Sequence, residues 1–144
     1  LPPGLVTPDI WRRRFTDIRN FERHLANNGT VIRKFFLHVS KEEQKKRFLE
    51  RIEEPEKNWK FNAGDVAERA HWDAYQRAYE DMIRATATPA CPWYVVPADN
   101  KWFTRMVVSA VVVDALAGLD LHYPKLSAAQ LRDLRAAKRR LLAE

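Results

Sequence analysis

Residues 31–43 join a strand pattern to a helix start with no loop between them. Val31 to Val39 is rich in β-branched and aromatic residues. Period-two alternation puts Phe35, Leu37 and Val39 on one face and Lys34, His38 and Ser40 on the other. Ser40-Lys41-Glu42-Glu43 follows at once, and S-x-x-E is a capping box. The same order recurs later. Trp93 to Val96 is a short strand closed by Pro97, and a helix runs from Asn100 to Ala117. Strands alternating with helices predict an α/β fold with a parallel sheet, helix-rich and built on about two strands.

The remaining elements are helical. Trp11, Phe15, Ile18, Phe21 and Leu25 recur at three- and four-residue steps in a helix from about Pro8-Asp9 to Asn27-Asn28-Gly29. Leu1 to Thr7 reads as an extended lead-in. A sparse helix follows Ser40 to about Glu53. Asp65 is expected to cap a long helix to Arg84 whose buried stripe is Ala74, Tyr75, Ala78, Tyr79, Met82 and Ile83. Ser127 and Gln130 cap a last amphipathic helix with a basic flank. Residues 1–124 are therefore expected to form one unit, and 125–144 a C-terminal basic helix. A parallel sheet usually has five or so strands, so further strands are expected before Leu1 or from another chain. The first residue, Leu rather than Met, also fits a partial chain.

A net charge of +6 and a pI near 9.7 favour anionic partners. The longest apolar stretch, Met106 to Leu116, is interrupted by Ser109 and Asp114, too short for a membrane span. A single cysteine, Cys91, excludes an internal disulfide framework. With no signal-peptide pattern it fits a reducing cytoplasm. The four histidines lack metal-ligand spacing, so no metal site is expected in this chain.

Several strings carry a family resemblance in their order and spacing. They are Lys34 to Phe48, Trp59-Lys60-Phe61 with Asp65, Trp72-Asp73-Ala74-Tyr75, Pro92 to Asp99 with Lys101, and, upstream, Phe21-Glu22 with Leu25, Gly29 and Thr30. From about Trp11 to Pro124 the chain resembles the C-terminal part of the family-2 polyphosphate kinases. Cys91 is a small departure, standing where such proteins more usually have Ala. The resemblance implies a partial P-loop kinase fold similar to thymidylate kinase, with a helical lid at about 47–65. It also implies phosphoryl transfer between inorganic polyphosphate and nucleoside mono- or diphosphates of the AMP/ADP type, with Mg2+. A two-stranded sheet leaves an edge that another chain can cover, so a homo-oligomer is expected. A P-loop kinase needs a glycine-rich loop with a lysine. Gly4, Gly29, Gly64 and Gly118 are far apart and no such loop occurs. The magnesium ligands and every catalytic residue are thus expected upstream of this chain, and the chain alone is expected to be inactive.

Phosphoryl transfer needs positive charge around the migrating group and exclusion of water. Arg47, Arg51, Lys57 and Lys60 are the candidate phosphate-binding residues of the lid, with Trp59 and Phe61 as anchors. The same stretch, Lys41 to Lys60, holds seven basic residues against six glutamates, so a solvated helix laced with ion pairs has the same pattern. Asp99, Asn100, Lys101 and Arg105 are candidate nucleotide-binding residues, at the C-terminal strand edge where α/β sheets bind ligands. Asp99 also suits a helix cap, and Arg105 a solvent-facing position. Lys34 and Asp65 are further candidates. Lys34 equally suits a strand edge, and His38 a structural role. Trp11, Trp72, Trp93 and Trp102 are expected to pack in the core. The rival to a kinase portion is a non-catalytic basic helical module binding nucleic acid or polyphosphate. No base-reading motif supports the nucleic-acid form.

Overall fold

Two parallel strands, each running straight into a helix at the same sheet edge, set the architecture of the computed structural model, which describes Gly4, Val6, Thr7 and residues 9–143. Most of the expected lead-in, Leu1 to Pro3 and Leu5, and Pro8 at the expected helix start, lie outside the described residues. The elements are α1 (Ile10–Asn27), β1 (Lys34–His38), α2 (Lys41–Glu53), α3 (Ala63–Glu68), α4 (Trp72–Thr86), β2 (Trp93–Pro97), α5 (Lys101–Ala117) and α6 (Ala128–Leu141). A 3-10 turn over Pro55–Lys60 joins α2 to α3, and a second, Arg69–His71, joins α3 to α4.

β1 pairs with β2 in parallel, from Lys34 opposite Trp93 to His38 opposite Pro97. The strand expected over Val31 to Val39 is therefore shorter, because only the five residues facing β2 find ladder partners. Gly29, at φ 87°, makes the left-handed turn that ends α1. Gly118 ends α5 in ordinary right-handed backbone, and the positive φ nearby falls on Asp120.

The two serine caps behave differently. At Ser127 the capping box is complete: Ser127 Oγ accepts from Gln130 N–H, and Gln130 Oε1 accepts from Ser127 N–H at 2.8 Å. At Ser40 only half of it forms. Ser40 Oγ accepts from Glu43 N–H at 3.1 Å, but the Glu43 carboxylate turns to Arg47 Nε at 2.9 Å.

The long helix expected from Asp65 is interrupted. Asn62, not Asp65, caps α3, by accepting from Gly64 N–H. Arg69 then reaches back to the Lys41 carbonyl at 3.1 Å and to the Gln44 side chain, and the backbone tightens into the 3-10 turn there.

Full burial is confined to Thr86, Cys91, Val96, Ala98 and Thr104 among the described residues. Thr86 Oγ1 accepts from Trp93 Nε1 at 2.9 Å and donates to the Met82 carbonyl. Lys34 is the polar centre of the α1–β1–α4 junction. Its ammonium lies 2.7 Å from Glu22 and 2.8 Å from the Thr86 carbonyl, beneath the Trp93 ring. Arg19 of α1 donates to the Ala85 carbonyl at 2.6 Å, binding the C-terminal end of α4, where helix carbonyls lack partners.

Several expected core positions are open. Trp11 and Trp102 are exposed, while Trp72 and Trp93 are half-buried. In α4 only Met82 and Ile83 of the expected stripe are half-buried; Ala74, Tyr75, Ala78 and Tyr79 are exposed. The cause is area: two strands of five residues each offer little surface to pack on, and much of the helices' apolar surface meets solvent.

Candidate functional site

The parallel pairing brings the ends of β1 and β2 side by side, so the starts of α2 and α5 open on one edge. Ala98 N–H donates to the His38 carbonyl at 2.8 Å, one step beyond the ladder. Asp99 Oδ1 then accepts from Ser40 N–H at 2.7 Å. Hydrogen bonding from the Ser40 backbone, then from its side chain, holds the Asp99 carboxyl below the usual carboxylate range. Asp99 does not cap α5: Asn100 holds the cap position and makes no side-chain cap bond.

Arg47, one turn into α2, closes this edge. Its Nε meets Glu43, and its Nη2 donates to the carbonyls of Ala98 at 2.9 Å and Asp99 at 3.2 Å. Arg47, Asp99, Asn100 and Lys101 therefore line one groove of about 430 Å³, together with Glu43, Lys46 and Glu50. Three cations face three carboxylates there. Lys46 was not among the residues expected from sequence; its only signal was its place between charged neighbours, which does not set a direction.

The other expected cations stand apart from this groove. The Arg51 guanidinium lies 5.6 Å from the Phe48 ring centroid, and Lys60 Nζ lies 4.9 Å from that of Trp59, itself 79% exposed. Lys57 pairs with Glu54 at 2.6 Å, and that hydrogen bond raises its pKa above the usual lysine value. Arg105 is exposed on α5 and lines no groove described here. Lys34 is enclosed by Glu22, the Thr86 carbonyl and the Trp93 ring, which engage its ammonium.

Asp65 opens on a second cavity of about 460 Å³ between β1, α2, α3 and α4. Trp72, Tyr75, Gln76 and Tyr79 form its α4 wall, and Phe36 and His38 face them from β1. His38 has a partner that the sequence did not reveal: its Nε2 lies 3.2 Å from Gln76 Oε1. The glutamine within an otherwise aromatic helix stripe was the legible sign that this face is not simple core. Among the described residues no group of three or more His, Cys, Asp or Glu side chains converges to hold a metal ion. No described helix is long and apolar enough to cross a membrane.

The family model of polyphosphate kinase 2 matches residues 3–123. An uncharacterised protein of Leptolyngbya boryana is 53% identical over 135 residues, covering 94% of this chain and 99% of that protein. The AMP/ADP-polyphosphate phosphotransferase of Meiothermus ruber is 50% identical over 85% of this chain and 46% of its own length. The ADP-polyphosphate phosphotransferase of Rhodopseudomonas palustris is 49% identical, over 92% and 46%. The crystal structure of polyphosphate kinase 2 from Arthrobacter aurescens TC1 superposes with a TM-score of 0.82 at 43% identity, covering 93% of this chain and 48% of that one. The chain thus spans about half the length of the phosphotransferases it matches, and nearly all of the Leptolyngbya protein.

Proposed function

Because the chain belongs to the polyphosphate kinase 2 family, we propose that it supplies the lid and the strand-edge site of an enzyme that moves phosphoryl groups between inorganic polyphosphate and AMP- or ADP-type nucleotides. In that reaction the bond between the terminal phosphorus and the polyphosphate oxygen breaks. A new bond forms to an oxygen of the nucleotide's terminal phosphate, and the polyphosphate leaves one unit shorter. The fold is read as the rear of a P-loop kinase, and magnesium is assigned to residues outside these 144.

The observation that carries this reading is the division of the cations. Arg47 is fixed by three hydrogen-bond partners at the strand edge: Glu43, the Ala98 carbonyl and the Asp99 carbonyl hold Nε and Nη2, and Nη1 makes no hydrogen bond among the described residues. It positions the groove and offers one free edge to a phosphate oxygen. Arg51, Lys57 and Lys60 lie beyond it, on α2 and the following 3-10 turn, and their partners are the half-buried Phe48 ring, the exposed Glu54 carboxylate and the exposed Trp59 ring. Exposed pairs of that kind are weak, so an incoming polyanion displaces them at little cost. Closing this segment over the phosphates neutralises oxygens in the transition state and excludes water.

The test is tripolyphosphate binding to the 144-residue chain at several salt concentrations. Replacing Arg51, Lys57 and Lys60 together by Ala is expected to lower the slope of log affinity against log salt by about 2, if each cation releases about 0.7 of a counterion as on single-stranded polyanions. An unchanged affinity and slope would remove the lid assignment.

A further inference from the structure

The cavity between β1, α2, α3 and α4 takes no part in the lid reading, yet its volume of about 460 Å³ lies within the range of small-molecule sites. Its α4 wall is one helix face: Trp72, Tyr75, Gln76 and Tyr79 follow at steps of three, one and three residues. The rings are ordered against one another. Phe36 and Tyr79 lie 4.9 Å apart between centroids, and Tyr75 and Tyr79 stack at 6.2 Å.

The polar groups of the cavity are nearly all engaged. The Tyr75 hydroxyl donates to Glu68 at 2.6 Å, which fixes the ring and raises the pKa of the hydroxyl. His38 is paired with Gln76, and Arg69 with Gln44 and the Lys41 carbonyl. The Asp65 carboxylate alone among the lining charges makes no hydrogen bond or ion pair among the described residues. The site has open aromatic faces and one free carboxylate, and its one guanidinium, Arg69, spends Nη1 on two neutral acceptors while its Nε and Nη2 make no hydrogen bond among the described residues. It suits a flat nitrogen heterocycle whose amino or ring N–H groups donate to a carboxylate. The groove at Asp99 has the opposite character: every lining side chain is charged or an amide, and no ring is present.

We propose that this cavity, rather than the Asp99–Lys101 loop, takes the nucleobase of the nucleotide. Trp72 and Tyr75 provide the stacking surface, and Asp65 accepts from the base. The assignment rests on the proposed function, which supplies the nucleotide as ligand, and it leaves the Arg47 groove and the lid to the phosphates.

The experiment titrates the 144-residue chain with adenosine, which carries no phosphate, and follows the tryptophan indole N–H signals by NMR. Trp72→Phe identifies the signal of Trp72. Adenosine is expected to shift that signal saturably, and ribose 5-phosphate to leave it in place. Tyr75→Ala is expected to weaken adenosine binding about tenfold, the scale of losing one base–aromatic stack. Tyr75→Phe keeps the ring and is expected to retain binding within about twofold of the parent on the same stacking argument. Asp65→Asn, at an exposed position, removes the acceptor charge without threatening the fold and is expected to weaken binding severalfold. If tripolyphosphate binds but adenosine leaves the Trp72 signal unmoved, the base site is overturned while the kinase reading stands. If neither binds, both fall. Shifts that map to Asp99–Lys101, with Tyr75→Ala silent, would return the base to the loop.

Discussion

Asp99 Oδ1 accepts the Ser40 backbone N–H at 2.7 Å across 59 positions of sequence. That N–H is the donor a local capping box would have given to Glu43. The long-range bond ties the turn after β2 to the start of α2, and it frees Glu43 to hold Arg47. Three residues that the groove needs are thereby set by one exchange of partners.

Asp99 gives a pH signature. Its folded-state pKa is depressed, so its contribution to stability is present above the unfolded carboxylate value of about 3.9 and is lost as pH falls through the folded value. In urea titrations, Asp99→Asn is expected to lose stability relative to the parent at pH 7, with the gap narrowing below pH 4 or so. A gap independent of pH would refute the link.

Lys34 and Glu22 form the least exposed ion pair described, with side chains 11% and 12% exposed. Lys34→Ala leaves the carboxylate enclosed and is expected to cost about 3 kcal/mol or more in urea unfolding. The paired change Lys34→Met with Glu22→Leu is expected to recover most of that loss, since two apolar groups of similar size leave no charge uncompensated. A double variant no better than the single one would contradict the account.

Arg47 and Arg51 are expected to separate. Arg47→Lys cannot reproduce the forked contacts to Glu43, Ala98 and Asp99, and is expected to lower stability by about 1–2 kcal/mol. Arg51→Ala is expected to leave stability within about 0.5 kcal/mol and to weaken tripolyphosphate binding. Thermal melts paired with calorimetric titration distinguish the two. Equal effects of both variants on both readouts would remove the division between a fixed and a mobile cation.

The 144-residue chain by itself is expected to show no phosphoryl transfer between polyphosphate and AMP or ADP. Among the described residues neither a glycine-rich phosphate loop nor a metal-holding carboxylate group is present. Nucleotide products followed by chromatography provide the check. Turnover by a sample whose intact mass is 16.9 kDa would refute it.

Assembly is expected from the open apolar surface of α5, where Trp102, Met106, Val113 and Leu116 are each more than half exposed. Faces of this kind mark association surfaces. Sedimentation is expected to give a species larger than the 16.9 kDa monomer. A well-folded monomer at micromolar concentration would count decisively against a homo-oligomer.

Local pattern determined the elements. Period-two alternation and β-branched residues marked β1; three- and four-residue spacing marked α1; Ser40 marked the start of α2; Ser127 and Gln130 fixed the start of α6 within four residues of chain. These signals are legible because each bond or packing stripe joins neighbours in sequence. The order of strand and helix then required parallel pairing, and the quoted strings identified the family. Tertiary structure decided what each polar group does. Only the β1–β2 register could bring Asp99 to Ser40 and Arg47 to two carbonyls more than fifty positions away. Only packing against α1 could turn Lys34 from a candidate ligand into the partner of Glu22. The α4 stripe shows the same limit from the apolar side. Its spacing determines that Trp72, Tyr75 and Tyr79 share a face, but what lies opposite that face determines whether they are core or the wall of a cavity. A sequence specifies which direction a side chain points relative to its own helix; the free energy of burying it depends on a surface contributed from elsewhere.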